Sequence, residues 1–404
     1  MNPKFEDSTR SLAGSNRMNQ ATAGQVRPTF PPPEKIHALT SLRFFAALFV
    51  VLYHATWSFL PWVKHEDPVG KVVSLGYISV SFFFLLSGYI LAVVYLRRGG
   101  PVPVRSFYRA RFARVYPLFF LTLVLDTPVL FLSRLATYGM KSALLKTGVS
   151  FAGNAVMLQA WLQQLRGIDN PNWSLSVETL FYLTFPLLGV LLWKLRGIQL
   201  WLIAAILYLG GQVLVFVSEQ KIPGETTQLF PVLHLSTFAL GILLARWQAL
   251  TRQRRAVSRN AQPKKYAAPV VSLLALAAFG AVVYWAPRSP TANLCDGLLA
   301  PIFAGLIWAF SDSDWLPARL LSVPWMVVLG EASFGLYLFH IPVFHLFERL
   351  GWNHTPALLP VYLGVSIGVS VLSFYFFETP LRRWILKRGQ APVKETMELA
   401  SDPQ

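Results

Sequence analysis

Eight ionisable side chains stand inside or at the ends of long apolar runs of this sequence: Arg43, His54, Asp126, Glu178, His234, Asp296, His340 and His345. A charge at the centre of a lipid-embedded helix costs about 2.5–3.5 kcal/mol on insertion scales. Residues kept there against that cost are candidates for chemistry. Arg43 and His54 lie on one apolar stretch. Eleven helical residues turn about 1100°, within roughly 20° of three full turns, and rise about 16 Å. One helix face therefore carries a cation near one end and an imidazole near the other. Glu178, in Trp173-Ser174-Leu175-Ser176-Val177-Glu178, is expected at the depth of His54. Paired there, it would fix the ring tautomer and stabilise an imidazolium, leaving the neutral, oriented ring a general base requires. Plainer roles stay open. His54 could simply bond a neighbouring helix, Glu178 could complete a structural ion pair, and Ser174 and Ser176 could cap a helix start.

A second cluster is Arg105, Arg109, Arg111 and Arg114, four arginines within ten residues just ahead of another apolar run. Arg111 and Arg114 are one helical turn apart, and guanidinium groups grip phosphate bidentately. The same residues also read as a topological signal. Asp126, Asp296 and His234 read as partners within a helix bundle. His340 and His345, five apart, point about 140° away from each other on a helix, which suits no metal pair. Glu331 reads as a residue near a helix end.

The elements that must position these groups are membrane helices. Of 404 residues, 54% are hydrophobic and only 14% charged, against about 25% charged in soluble domains. The apolar residues come in runs near the ~20 needed to cross a hydrocarbon core, which excludes a soluble α/β enzyme, a disordered chain and a disulfide scaffold. Ten spans are expected near 40–60, 74–96, 116–136, 175–193, 199–217, 230–247, 267–286, 294–310, 328–347 and 357–377. Segment 148–165, with Asn154, Gln159 and Gln163, reads as a lid or re-entrant piece, not an eleventh span. There is no internal repeat. Cys295 stands alone and reads as a small core residue.

The 36 Lys and Arg against 19 Asp and Glu would suggest nucleic acid in a soluble protein. Their placement argues otherwise. With the N-terminus inside, 26 of the 36 fall on the cytoplasmic side and 9 outside, with Arg43 within the first span. That is the positive-inside pattern of an even number of spans with both termini cytoplasmic. Nucleic acid is not an expected partner, and the lipid bilayer is. Residues 1–34, polar and Pro-rich, lack a secretory signal pattern and read as a disordered tail, as do 387–404. Residues 35–386 form the membrane domain.

Five ordered motifs resemble the integral-membrane acyltransferase family 3. They are Arg43-x10-His54; Phe83-Phe84-Leu85-Leu86-Ser87-Gly88-Tyr89; Arg111-x-x-Arg114 followed by Tyr116-Pro117; Trp173-Ser174-Leu175 through Glu178; and Ser333 through Tyr337, His340 and Pro342. The resemblance implies an all-α, ten-helix enzyme of the cell inner membrane. It would move an acyl group, acetyl above all, from cytoplasmic acyl-CoA (acetyl-CoA) to a hydroxyl of a cell-envelope or secreted glycan. It implies His54 and Glu178 at the active centre and Arg43, Arg111, Arg114 and Tyr116 around the donor. Trp173, Ser174, Ser176 and His340 would lie on the substrate path, and no metal is implied. Glu378-Thr379-Pro380 departs from the family, where a basic residue often precedes the proline. No esterase-like outer domain is expected, so any such partner would be another chain or absent; envelope-biosynthesis partners stay open. Either His54 deprotonates the acceptor directly, or it is itself acylated first. The competing readings are a non-enzymatic glycan transporter or flippase, and an acyltransferase acting on a lipid or small molecule.

Overall fold

The computed structural model describes residues 37–97, 101–168, 170–222, 224–257, 267–285, 291–311 and 315–388. Apart from Lys387 and Arg388, the expected tails fall outside these residues. So do Arg98, Arg259, Lys264, Lys265 and Arg288 of the charge count.

No strand occurs among the described residues, and ten helical stretches are long and apolar enough to cross a membrane. The chain starts with α1 (His37–Phe59), then a short α2 (Pro68–Ser74) that turns into α3 (Ser79–Tyr95). Next come α4 (Val104–Tyr138) and α5 (Met140–Ala155). The middle of the chain holds α6 (Trp173–Trp193), α7 (Gly197–Lys221), a one-turn α8 (Glu225–Leu229) and α9 (Leu235–Val257). Then follow α10 (Ala267–Trp285), α11 (Ala292–Cys295), α12 (Ala300–Ser311) and α13 (Leu316–Leu321). The last are α14 (Pro324–Arg349), α15 (Leu359–Ser373) and α16 (Thr379–Arg388).

Three boundaries differ from the sequence reading. The third span does not begin near residue 116. The arginine cluster is helical, so α4 runs 35 residues from Val104 and carries Arg105 to Arg114 as its first turns. The last span does not stop near 377. A π-turn over Phe374–Glu378 joins α15 to α16, and the helical path continues to Arg388. Segment 148–165 holds the second half of α5, which folds back against α4, and then a loop. Asn154 Nδ2 donates to the carbonyls of Ser150 and Leu165, 2.8 and 2.7 Å away, and pins that loop.

Lipid tails are as apolar as leucine, so helices in a membrane associate through close packing and hydrogen bonds. Two contacts show this. Gly88 of α3 lies against the Phe238 carbonyl of α9, and Gly241 of α9 against the Leu85 carbonyl; a Cβ at either glycine would come 2.0 Å from that oxygen. At Gly330 of α14 an added Cβ would likewise come 2.1 Å from the Thr40 carbonyl of α1. Further along, His340 faces His54 and Phe347 faces Phe59, so α1 and α14 run parallel in close contact.

Candidate functional site

Arg43 comes from the start of α1, Phe83 from α3, Glu178 from α6 and Phe334 from α14. Together they separate two chambers and line both. The larger, about 120 Å³, is bounded further by Leu86, Ser87, Arg111, Arg114 and Tyr182. The smaller, about 40 Å³, is bounded by Val80, Phe84, Ser174, Leu175, Ser333 and Tyr337. The Phe83-to-Tyr89 motif thus divides its labour. Phe83 lines both chambers, Ser87 faces the larger one and Gly88 admits α9. Tyr89 donates a hydrogen bond to Gln248 Oε1.

Charge concentrates at the larger chamber. Glu178 accepts a hydrogen bond from Tyr182 Oη at 2.6 Å, and Arg43, Arg111 and Arg114 are the cations acting on it. Arg114 Nη1 lies 3.4 Å from Glu331 Oε2. The guanidinium of Arg111 stands 5.9–6.0 Å from the ring centres of Tyr95, Phe107 and Tyr182, within cation–π range. Its buried Nε makes no hydrogen bond to the described residues. Aromatic faces orient Arg111 in the same chamber as Glu178. Buried Glu378 also faces Arg43 and Arg114.

His54 stands three turns further along α1 than Arg43, and its ring is tied to its own helix and to α14. Its Nδ1 is 2.9 Å from the Val50 carbonyl and 3.3 Å from His340 Nε2. A carbonyl can only accept, so Nδ1 carries the proton and Nε2 keeps its lone pair. The expected pairing of His54 with Glu178 is not present: Glu178 bonds Tyr182 and shares its chambers with Arg43. The reason lies in the connection before α6. Ala160, Ile168 and Asn172 are buried, so α6 starts inside the protein, and counting five residues in from Trp173 overstates the match with His54.

The remaining expected site residues divide. Ser174 faces the smaller chamber, 2.8 Å from Tyr337 Oη and 3.1 Å from the Pro171 carbonyl. Neither it nor Ser176 caps α6, whose N-cap position is Asn172 without a side-chain bond. Ser176 Oγ donates to the Met157 carbonyl at 2.5 Å. Trp173 packs on Phe84 and His234 and lines neither chamber. Tyr116 donates to the Ala155 carbonyl at 3.0 Å and stacks on Phe112, tying α4 to α5; it too lines neither chamber. The aspartates pair within the bundle: Asp296 with His234 and Asp126 with His345, both at 2.6 Å. Among the described residues no cluster of three or more His, Cys, Asp or Glu could hold a metal.

Sequence reasoning missed Tyr182 and Glu331 as members of this site. Both carried a signal. Tyr182 is four residues from Glu178, the spacing of neighbours on a helix face. Glu331, Phe334 and Tyr337 follow at threes, which sets them along one side of α14.

Half-buried cations, two chambers that share four lining residues and a half-buried imidazole thus occur in one bundle of membrane-length helices. Residues 36–375 match the family model described as an acyltransferase domain, and the chain belongs to that family. It is 30% identical to the acyltransferase MdmB of Streptomyces mycarofaciens, over 92% of this chain and 98% of that protein. It is 25% identical to nodulation protein 10 of Rhizobium leguminosarum bv. viciae, over 84% of this chain and 91% of the other. Identity to the O-acetyltransferase OatA of Staphylococcus aureus is 23%, over 87% of this chain and 58% of that longer protein. No solved structure matches. The protein is thus a multi-pass membrane acyltransferase.

Proposed function

We propose that this enzyme moves an acyl group, acetyl first among candidates, from cytoplasmic acyl-CoA to a hydroxyl of a cell-envelope or secreted glycan. The observation that supports the reading is the pair of chambers sharing Arg43 and Glu178, with Arg111 and Arg114 lining the larger, and with His54 on the same helix as Arg43 but outside both linings. Arg111 and Arg114 would hold the phosphates of the donor. The pantetheine arm would pass Arg43, Phe83 and Phe334 and bring the thioester carbon into the smaller chamber. The acceptor hydroxyl would give its proton to His54 Nε2 as its oxygen bonds to that carbon. The C–S bond breaks, and coenzyme A leaves as the thiolate and is protonated. Glu178, held by Tyr182, would balance the cations at the narrow point. The basic ends of the helices would face the cytoplasm, as would both termini, in the cell inner membrane.

The test uses the purified full chain in proteoliposomes. Radiolabelled acetyl-CoA is supplied, with envelope glycan from cells lacking the protein as acceptor. Wild type is expected to label the glycan and release coenzyme A. Folded His54→Ala should lose transfer by about 10²–10⁴-fold, the usual contribution of a general base. Arg111→Ala with Arg114→Ala should raise the KM for acetyl-CoA at least about 10-fold. Near-normal transfer by His54→Ala would overturn the assignment of the base.

A further inference from the structure

Resting on that reading, we propose that His340 is a positioning residue for the reaction, holding His54 in its reactive tautomer and sharing the positive charge His54 acquires. His340 Nδ1 lies 2.8 Å from the Tyr337 carbonyl. A carbonyl only accepts, so this nitrogen bears the proton and Nε2 of a neutral ring is an acceptor. That acceptor faces His54 Nδ1 at 3.3 Å, and the two rings are 5.2 Å apart. Two independent carbonyls, Val50 on α1 and Tyr337 on α14, therefore impose one consistent pattern of protons: His54 Nδ1–H donates to both Val50 O and His340 Nε2, and His54 Nε2 faces away with its lone pair.

The neighbours of the dyad hold it in place. His340 is fully buried. Tyr362 Oη donates to the His340 carbonyl at 3.0 Å, which fixes the α14 backbone at this point from α15. Tyr53 packs edge-on to His54 at 5.0 Å. Tyr337, one turn before His340, bonds Pro171 O and Ser174 Oγ at the wall of the smaller chamber. Beyond Tyr337, the other imidazole on α14 is His345, and its ring is engaged by Asp126 of α4. The described structure pairs no carboxylate with His54. When His54 Nε2 takes the acceptor's proton, its Nδ1–H becomes an acidic donor. His340 Nε2 then receives a charge-assisted hydrogen bond, and the proton can move toward it without leaving the pair. A second imidazole thus does the work that a carboxylate does in the usual triad.

The full chain is labelled with 15N-histidine, placed in lipid nanodiscs and read by NMR, with His54→Gln to assign the signals. In wild type His54 is expected as the pure Nδ1–H tautomer. His340→Leu should show a mixture of tautomers. It should also lower kcat by about 10–100-fold, the loss of a charge-assisted hydrogen bond, with the donor KM unchanged. His340→Gln places an amide oxygen where Nε2 stood; it should restore the tautomer and much of kcat. An Nε2–H tautomer in wild type overturns the proposal, as does an unchanged kcat in His340→Leu. A donor KM that rises in step with lost thermal stability in both variants also overturns it, since that is what mere packing would give. Failure of the acyl-transfer reading looks different: the tautomer is as expected, but wild type releases no coenzyme A.

Discussion

The polar side chains in this bundle are sorted by whether a partner answers them. Asp296 and His234 are fully buried and 2.6 Å apart, and neither lines the two chambers, although His234 packs on Phe84 of the smaller one. Removing one partner of a buried ion pair leaves the other unanswered, at about 3–5 kcal/mol, whereas replacing both with apolar residues is often neutral. Asp296→Ala should therefore lower the unfolding midpoint in detergent strongly. His234→Leu with Asp296→Leu should recover most of that loss. Equal loss in the single and double variants would mean the pair contributes only packing. His54 differs in kind, because one ring nitrogen is satisfied and the other is not. Its importance was legible in the sequence, since an imidazole in an apolar run three turns from an arginine is costly to keep there. Its partner was not legible. Spacing on one helix gives the face and the rise, but which neighbour supplies the opposing group depends on packing between α1 and α14.

At the scale of elements, contact between helices decides whether the site exists. Gly330 lets α14 approach α1 so closely that a Cβ would sit 2.1 Å from the Thr40 carbonyl. Gly330→Val must push the helices apart at the end of the contact that also aligns His340 with His54. Overpacking of this sort costs about 1–3 kcal/mol, and acyl transfer should fall more than stability does. Gly364 and Gly368 on α15 have open space where a Cβ would go. Alanine at either should be neutral or stabilising by up to about 1 kcal/mol, the helix-propensity difference. Thermal unfolding of these variants beside transfer assays separates the two classes; a tolerated Gly330→Val would show that α1 yields freely. The glycines carried no sequence signal of their own, because the same residue packs tightly at Gly330 and loosely at Gly364. The start of α4 and the depth of Glu178 on α6 were misread for a related reason. Apolar composition marks the lipid-spanning part of a helix, but α4 extends into a polar, arginine-rich turn and α6 begins beneath a buried loop.

For the whole molecule, ten apolar stretches were readable because hydrocarbon thickness sets a length that composition alone reveals. The sidedness is an inference from Lys and Arg placement, and the single cysteine makes it simple to check. In a Cys295→Ser background, Trp62→Cys in the loop after α1 should react with a membrane-impermeant thiol reagent in intact cells. Arg255→Cys near the end of α9 should react only after the membrane is opened. Both positions are exposed. The reverse pattern would invert the orientation and move the arginine-lined chamber to the outer face.

The inequality of the two chambers bears on what happens between productive encounters. A site for one water takes ~10–15 Å³, so the compartment of about 40 Å³ accommodates only a few such molecules, and a bound thioester would displace most of them. Few competing nucleophiles would then stand near the activated carbon while the enzyme waits. On the proposed reaction, futile hydrolysis during idle periods would thereby be held down by geometry, and the donor would stay loaded until an alcohol arrives.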